Sequence, residues 1–240
     1  MTILCTICAR GGSKGVIGKN SRLVAGKPLI AHTIDLAVKC DLFDHVVFSS
    51  DCLKLMNIAK EHGASVFFKR DSSLASDTAA KIPVIQDAHL RSTDYFNKSF
   101  RVHFDLDCTS PLRNNSDLIN AFKLFSDSNS DLTLSGTPSR KSPYFNIVER
   151  DENRWIKLVK QTERQVVSRQ EAPECFDLNA SFYIWKQKAL LECDQLFLPR
   201  TTLYEMPAYR SIDIDDELDM FVVEQILEGK WDDWKTNYKL

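Results

Sequence analysis

Short apolar runs rich in β-branched and aromatic residues alternate along this chain with longer stretches in which apolar positions recur every three or four residues. The first kind of pattern predicts strands over residues 3–9, 45–50, 65–69, 100–105, 132–136, 182–185 and 209–214. The second predicts helices over 28–38, 52–62, 78–90, 116–126, 186–193 and 216–227. Pro28 suits a first helical turn, and Asn115 or Ser116 can cap the helix that follows. Strands and helices in alternation predict an α/β fold with a mostly parallel central sheet and flanking helices. Ligands of such sheets gather beyond the carboxyl ends of the strands, so the loops that follow strands carry the functional information.

One segment breaks the alternation. Residues 137–175 are polar, contain Pro138, Pro143 and Pro173, and hold isolated apolar or aromatic residues such as Tyr144, Phe145, Trp155 and Ile156. This excursion reads as extended pieces or a hairpin projecting from one domain that spans 1–240, and its aromatics suggest either a partner surface or an arm folded back on its own domain.

Composition narrows the function classes. A net charge of -2 over 240 residues argues against a protein that coats nucleic acid, so any anion site is local. No apolar run reaches the ~18 residues of a membrane span, and the N-terminus lacks a secretory pattern, so a cytoplasmic protein is expected. Seven cysteines are scattered, and the one close pair, Cys5 and Cys8, falls inside the first apolar run. They read as small buried side chains rather than as a metal or redox centre. His32 and His103 lack the companions of an acyl-transfer triad and read as structural.

The loop after the first strand is Arg10-Gly11-Gly12-Ser13-Lys14-Gly15-Val16-Ile17-Gly18-Lys19-Asn20. Glycines leave the backbone open, so amide N–H groups can converge on an anion while Arg10, Lys14 and Lys19 add full charges. The frame Ser13-x-x-x-x-Gly18-Lys19-Asn20 lacks the first glycine and final hydroxyl of a nucleotide-binding P-loop, and the dinucleotide glycine spacing is absent too. The ingredients of phosphate binding are present in neither standard order.

Two Asp-x-Asp segments follow strand-like runs. Asp105 and Asp107 share a face near the end of a central strand, ahead of Thr109-Ser110-Pro111-Leu112-Arg113, where Arg113 can pair with an acid or reach an anion. Asp213 and Asp215 also share a side and offer hard oxygen ligands of the kind that suit Mg²⁺ bound together with substrate phosphates. Asp215 can alternatively cap the helix after it. Between another strand and helix, Arg70 sits where it can reach a nucleotide, and Ser76 or Asp77 can cap. Arg164, Arg169, Gln170 and Asn179 add polar reach later in the chain.

Taken together, the glycine-cation loop ending Lys19-Asn20, Gly26-Lys27-Pro28-Leu29, Leu74-Ala75-Ser76-Asp77-Thr78, Thr109-Ser110-Pro111-Leu112-Arg113 and Ser211-Ile212-Asp213-Ile214-Asp215 resemble the acylneuraminate cytidylyltransferase family. That resemblance implies a nucleotide-diphospho-sugar transferase fold and a homodimer whose protruding arm, here 137–175, reaches the partner's active site. It also implies attack by the anomeric hydroxyl of a nine-carbon 2-keto acid sugar on the α-phosphate of CTP, giving a CMP-sugar and pyrophosphate, with Mg²⁺ as cofactor. Carried over by position, Arg10, Lys19 and Asp213 would be catalytic. Gly11, Gly12, Ser13, Asn20, Arg70 and Asp77 would join Arg10 and Lys19 in binding nucleotide, and Asp213 and Asp215 would hold the metal. Asp107, Thr109, Ser110, Phe145, Arg169, Gln170, Asp177 and Asn179 would bind the sugar.

The chain departs from the sialate pattern where the sugar would sit. Asp107-Cys108 stands in place of Gln-Pro, Asp177 and Ala180 stand where an Arg and a Gly flank the Asn, and Phe145 replaces a Lys. These changes resemble members that activate bacterial diacetamido nonulosonic acids such as legionaminic acid. The competing readings are a Kdo cytidylyltransferase, a P-loop-like kinase or NTPase, and a nucleotide-sensing module, which would not need the Asp213/Asp215 pair.

Overall fold

A computed structural model describes residues 1–12, 15–76, 78–162, 166 and 168–238. Its centre is a six-stranded sheet of β1 (Ile3–Cys8), β4 (His45–Ser49), β5 (Val102–Leu106), β6 (Leu132–Pro138), β9 (Phe176–Lys186) and β10 (Thr201–Glu205). The strand order is β10-β6-β9-β5-β1-β4. β1 runs parallel to β4 and β5, and β10 runs parallel to β6. β9 alone is antiparallel to both of its neighbours, β5 and β6. The α/β class with a mainly parallel sheet and flanking helices is therefore as the sequence pattern predicts.

The helices are α1 (Leu29–Lys39), α2 (Leu53–Glu61), α3 (Lys81–Phe96), α4 (Asn115–Asp127), α5 (Gln187–Glu192), α6 (Glu217–Leu227) and α7 (Lys230–Tyr238). Apolar faces of α1, α2 and α4 close over β1 and β5 in the main core, around Ile7, Ile34, Phe48, Leu55, Phe104 and Phe125. Two short ribbons complete the chain: β2 (Leu23–Val24) with β3 (Lys27–Pro28), and β7 (Val148–Arg150) with β8 (Ile156–Leu158). The second is a hairpin inside the 137–175 excursion, which leaves the sheet after β6 and returns through β9. No helix of the described residues is long and apolar enough to cross a membrane.

Several elements differ from expectation, among them β9, which starts at Phe176 rather than at 182. Residues 65–69 form no strand; Ser65 makes one parallel bridge to Val47, and Phe67 is drawn away to stack on Tyr95 of α3 with ring centroids 3.9 Å apart. Residues 209–214 are not a strand either. Arg210 turns the chain there by bonding Asp117 of α4, at 2.8 and 3.1 Å, and the sheet edge is supplied by β10, whose Thr-Thr-Leu-Tyr run was too short to stand out. Helix α3 begins at Lys81 rather than at 78 and continues to Phe96, where Asn97 takes a left-handed conformation with φ 47°. Helix α7 carries few apolar positions and gave no periodic signal; Gly229, with φ 84°, separates it from α6, and Trp231 and Trp234 stack at 5.2 Å.

Candidate functional site

The exits of β1 and β5, the start of α3 and the segment before α6 meet around a cleft of about 500 Å³. Arg10, Gly12, Gly15, Lys19 and Asn20 line it from the first loop, Arg70 and Ser76 from the loop before α3, Asp107 and Thr109 from the β5 exit, and Asp213 and Asp215 from the late segment. Nine of the residues singled out in the sequence, Arg10, Gly12, Lys19, Asn20, Arg70, Asp107, Thr109, Asp213 and Asp215, thus share one wall system although they span most of the chain.

Packing explains the convergence. Val16, Leu29, Leu112 and Ile214 are buried together in a small core beneath the glycine loop. The amide of Ile214 donates to the carbonyl of Thr109 at 2.9 Å, which pins the late Asp-Ile-Asp beside the β5 exit. Gly15 must be glycine here, because a Cβ would sit 2.0 Å from the backbone oxygen of Asp215. Gly18, with φ 63°, turns the chain into a 3-10 turn (Lys19–Ser21) that aims Lys19 back into the cleft.

The cations are held by backbone oxygens that face them. Lys19 Nζ donates to the Ile214 carbonyl at 2.5 Å and lies 3.7 Å from Asp215. Arg70 is buried and donates to the Ala9 carbonyl at 2.9 Å, and Arg10 donates to the Ser76 carbonyl at 3.1 Å. Asn20 donates to the Arg10 carbonyl at 3.1 Å, leaving its own buried Oδ1 without a partner. The Gly11 amide is committed to Asp51 Oδ1 at 2.9 Å. This arrangement presents positive charge on one side of the cleft, where an anionic group can be received without rearrangement.

Carboxylates occupy the other side in two states. Burial alone would raise the pKa of Asp107, but Lys81 at 3.0 Å and bonds from the Thr109 amide and hydroxyl outweigh it and push the pKa down to about 2. Asp213 goes the other way. Burial raises its pKa, and the charges of Asp107 and Asp215 act in the same direction against the Thr109 hydroxyl and Lys19. Its Oδ1 is buried without a hydrogen-bond partner, while the Asp215 side chain is 82% exposed. A buried carboxylate oxygen that nothing satisfies, beside a second, largely exposed carboxylate paired only loosely with Lys19, is the donor set of a hard divalent cation. Among the described residues no group of three His, Cys, Asp or Glu side chains could hold a metal, so such an ion would draw its remaining ligands from substrate and water.

Several expectations change here. Asp216, not Asp215, caps α6, accepting from the amides of Leu218 and Asp219. Arg113 is buried and reaches no acid or anion; it donates to Ser181, Thr33 and the Asp107 carbonyl, tying the β5 exit to β9 and α1. Ser110 donates to the Asn179 carbonyl at 3.1 Å and Asn179 donates to Ser211 Oγ at 3.0 Å, so these two brace the chain outside the cleft lining. Asp177 lines a separate apolar groove with Tyr209, Phe221 and Trp234, and Gln170 lines a cavity at the root of the excursion. Phe145 lies on the excursion, 39% exposed. Ser13, Lys14, Asp77, Arg164 and the side chain of Arg169 lie outside the described residues.

Lys81 was missed. It is the first residue of α3 and bonds both Asp107 and Asp105, the latter fully buried. A signal existed: two acids on one face of a buried strand demand a cation, and Lys81 opens the helix that follows the Arg70 loop.

The chain is similar to known proteins over nearly its whole length. The family model described as "Cytidylyltransferase" matches residues 4–226. The chain is 45% identical over 228 residues to the post-translational flagellin modification protein B of Campylobacter coli, covering 95% of this chain and 96% of that protein. It is 44% identical to the CMP-N,N'-diacetyllegionaminic acid synthase of Campylobacter jejuni, with the same coverage of both chains. Among solved structures, a CMP:2-keto-3-deoxy-manno-octonic acid synthetase complexed with CTP superposes with a TM-score of 0.68 at 13% identity, covering 96% of this chain and all of the other.

Proposed function

The chain belongs to the cytidylyltransferase family, and on that premise we propose that it couples CTP to a nine-carbon 2-keto acid sugar of the diacetamido type, giving a CMP-sugar and pyrophosphate. The observation that carries the reading is the division of one cleft between Arg10, Lys19 and Arg70 on one side and three aspartates on the other. A nucleoside triphosphate fits the first side by charge. The relative named as a diacetyllegionaminic acid synthase supports the choice of sugar.

The protein's part in the reaction is positioning and charge stabilisation. Arg10, Lys19 and Arg70 hold the triphosphate, and Asn20 orders the loop that delivers them. The anomeric oxygen of the sugar bonds to the α-phosphorus as the α–β anhydride bond breaks, pyrophosphate leaves, and the hydroxyl proton passes to solvent water. Lys19, in reach of both the backbone at Ile214 and the Asp215 carboxylate, offsets charge on the reacting phosphates. Asp213 and Asp215 would hold Mg²⁺, and the unsatisfied Asp213 oxygen fits that role. When bound, the ion would polarise phosphate oxygens and offset the charge of the leaving pyrophosphate. Asp107, with a pKa near 2, is too weak a base to take the sugar's proton, and serves as an anionic acceptor for hydroxyl or amide donors.

The excursion between β6 and β9 is read as a dimerisation arm, because its hairpin carries Val148, Trp155 and Ile156 at 50%, 74% and 67% exposure. Replacing the hairpin by a short turn should give monomers in sedimentation velocity, and a surviving dimer would contradict the assignment. The reaction is assigned to the cytoplasm, where CTP is available.

Pyrophosphate release with CTP, Mg²⁺ and a panel of acids tests the function. Turnover is expected with N,N'-diacetyllegionaminic acid ahead of N-acetylneuraminic acid. Turnover with the eight-carbon acid Kdo and none with any nine-carbon acid would overturn the choice of sugar.

A further inference from the structure

A line of buried polar groups runs from the interior of the molecule into the cleft. His89 Nδ1 on α3 lies 3.0 Å from His103 Nδ1 on β5, and His103 Nε2 lies 2.8 Å from the Thr6 hydroxyl on β1. The Thr6 hydroxyl donates to Asp105 Oδ1 at 3.0 Å, and Lys81 Nζ stands 3.4 Å from Asp105 Oδ2 and 3.0 Å from Asp107 Oδ2. All four groups at the interior end, His89, His103, Thr6 and Asp105, are buried in a region whose neighbours are apolar. Polar groups survive there only when hydrogen-bonded.

Burial raises the pKa of Asp105 and the Lys81 ammonium 3.4 Å away lowers it; with Asp105 ionised against Lys81, one assignment of protons satisfies the line. Burial lowers the pKa of His89 to about 4 and that of His103 well below its ordinary value, so both rings are neutral in neutral solution and each carries one N–H. The Thr6 proton goes to Asp105, so the Thr6 oxygen must accept from His103 Nε2–H. His103 Nδ1 is then a bare acceptor and takes the proton of His89 Nδ1. The scheme leaves one buried nitrogen without a partner, His89 Nε2, and that atom has no hydrogen-bond partner in the structure. In this assignment every proton in the line points toward the ionised Asp105.

The consequence reaches the cleft. Asp105 accepts Thr6 on one oxygen and faces Lys81 with the other, which anchors the ammonium from behind. The ring of Tyr183, with its centroid 4.2 Å from Nζ, confines it from the side. Lys81 is left one forward direction, and it spends it on Asp107, which lines the cleft.

We propose that Lys81 is a positioning residue for the acceptor sugar: the buried His–His–Thr–Asp line fixes its ammonium, and the ammonium fixes the Asp107 carboxylate as the acceptor for N–H or O–H donors of the sugar. The inference rests on the proposed function and adds to it a residue and a support that act on the sugar side alone. The triphosphate side has its own cations, Arg10, Lys19 and Arg70, none of which bonds this line in the described contacts.

The test is steady-state kinetics of Lys81→Met, Lys81→Arg and Thr6→Val on whichever nine-carbon acid the wild type turns over best, with KM measured separately for sugar and CTP. Loss of a charge-assisted contact should raise the sugar KM of Lys81→Met about tenfold or more. CTP KM should stay within about twofold, and Lys81→Arg should recover much of the loss. Thr6→Val touches nothing in the cleft, yet should raise the sugar KM by about threefold, because Asp105 loses the hydroxyl that holds its Oδ1. If Lys81→Met fails to fold, Lys81→Met with Asp105→Asn removes one buried charge of each sign and should show the same split. A sugar KM that stays at the wild-type value, or a CTP KM that rises in step with it, overturns the inference while leaving the function standing. A wild type inactive on every nine-carbon acid overturns both.

Discussion

The two Asp-x-Asp segments are alike in sequence and opposite in state. Asp105 and Asp107 end β5 with every exposed demand met: Lys81 lies between them, Thr6 donates to one and Thr109 to the other. Asp213 and Asp215 lie across the same cleft with little to satisfy them, one carrying a buried oxygen without a partner and the other standing largely in solvent. A carboxylate that already holds a cation is a fixed acceptor, suited to telling one neutral substrate from another. A carboxylate that holds none, in a place where burial penalises its charge, is prepared for a cation that arrives with the substrate. The pattern of acids alone does not separate these roles. The neighbouring elements do: α3 brings Lys81 to both acids of the first pair, at 3.4 and 3.0 Å, while Lys19 comes only to 3.7 Å from the outer acid of the second.

The sharpest way to break the comparison is Asp213→Asn. Removing one carboxylate of the metal pair should lower kcat by about 100-fold or more, because the contribution is made to charge that develops as pyrophosphate leaves. The fold should not suffer, since burial already penalises the Asp213 charge and raises its pKa. Near-normal turnover, or a marked drop in the urea midpoint, would put Asp213 in the same class as Asp107.

Asp107→Asn should show the reverse balance. The pKa of Asp107 lies near 2, below the roughly 3.9 of an unfolded aspartate, so its ionised form stabilises the fold above about pH 4 and that contribution fades as pH falls toward 2. The variant should therefore lose about 2 kcal/mol at pH 7, with the deficit narrowing at pH 3, in urea unfolding at the two values. A deficit that grows on acidification would contradict the ion pair as the source.

The smallest effect concerns the support of the metal pair. Asp216 and Asp219 form a reciprocal capping box at the start of α6, and Asp219 also accepts from the Asp215 amide at 3.0 Å. Asp216→Ala should cost about 1 kcal/mol by thermal unfolding and change kcat by less than about threefold. A loss of activity as large as that of Asp213→Asn would mean that the cap, rather than the carboxylates, organises this side of the cleft.

What could be read from the chain without its structure follows the same division. Strong periodic segments gave β1, β4, β5 and β6 and most helices, because burial on a sheet leaves a pattern that survives in one dimension. The glycine-cation loop and the Asp105/Asp107 pair could be placed at one edge of the sheet, since both follow strands that share a direction; the Asp213/Asp215 pair closes a segment, 209–215, that forms no strand, and its place beside them was not legible. The edge strand β10 and helix α7 were invisible, being respectively short and half-polar; β10 is held by its pairing with β6, and α7 follows the turn at Gly229. Lys81 was missed for a different reason: its signal lies in the acids of β5 and not in its own surroundings. Nothing local distinguishes a lysine at a helix start from a solvated one, and its role is set by two aspartates more than twenty residues away on a buried strand. Arg113 shows the converse: a strand-end arginine that looks free to reach an anion is consumed by backbone and hydroxyl oxygens.

The most direct test of the division of labour is a Mg²⁺ titration of pyrophosphate release, run on the wild type, Asp213→Asn and Asp107→Asn with CTP and N,N'-diacetyllegionaminic acid. Asp213→Asn should need far more Mg²⁺ for half-activation and fail to regain the wild-type rate at saturation. Asp107→Asn should keep the wild-type Mg²⁺ requirement while its sugar KM rises. A shift in Mg²⁺ requirement for Asp107→Asn, with none for Asp213→Asn, would contradict the assignment of the two pairs.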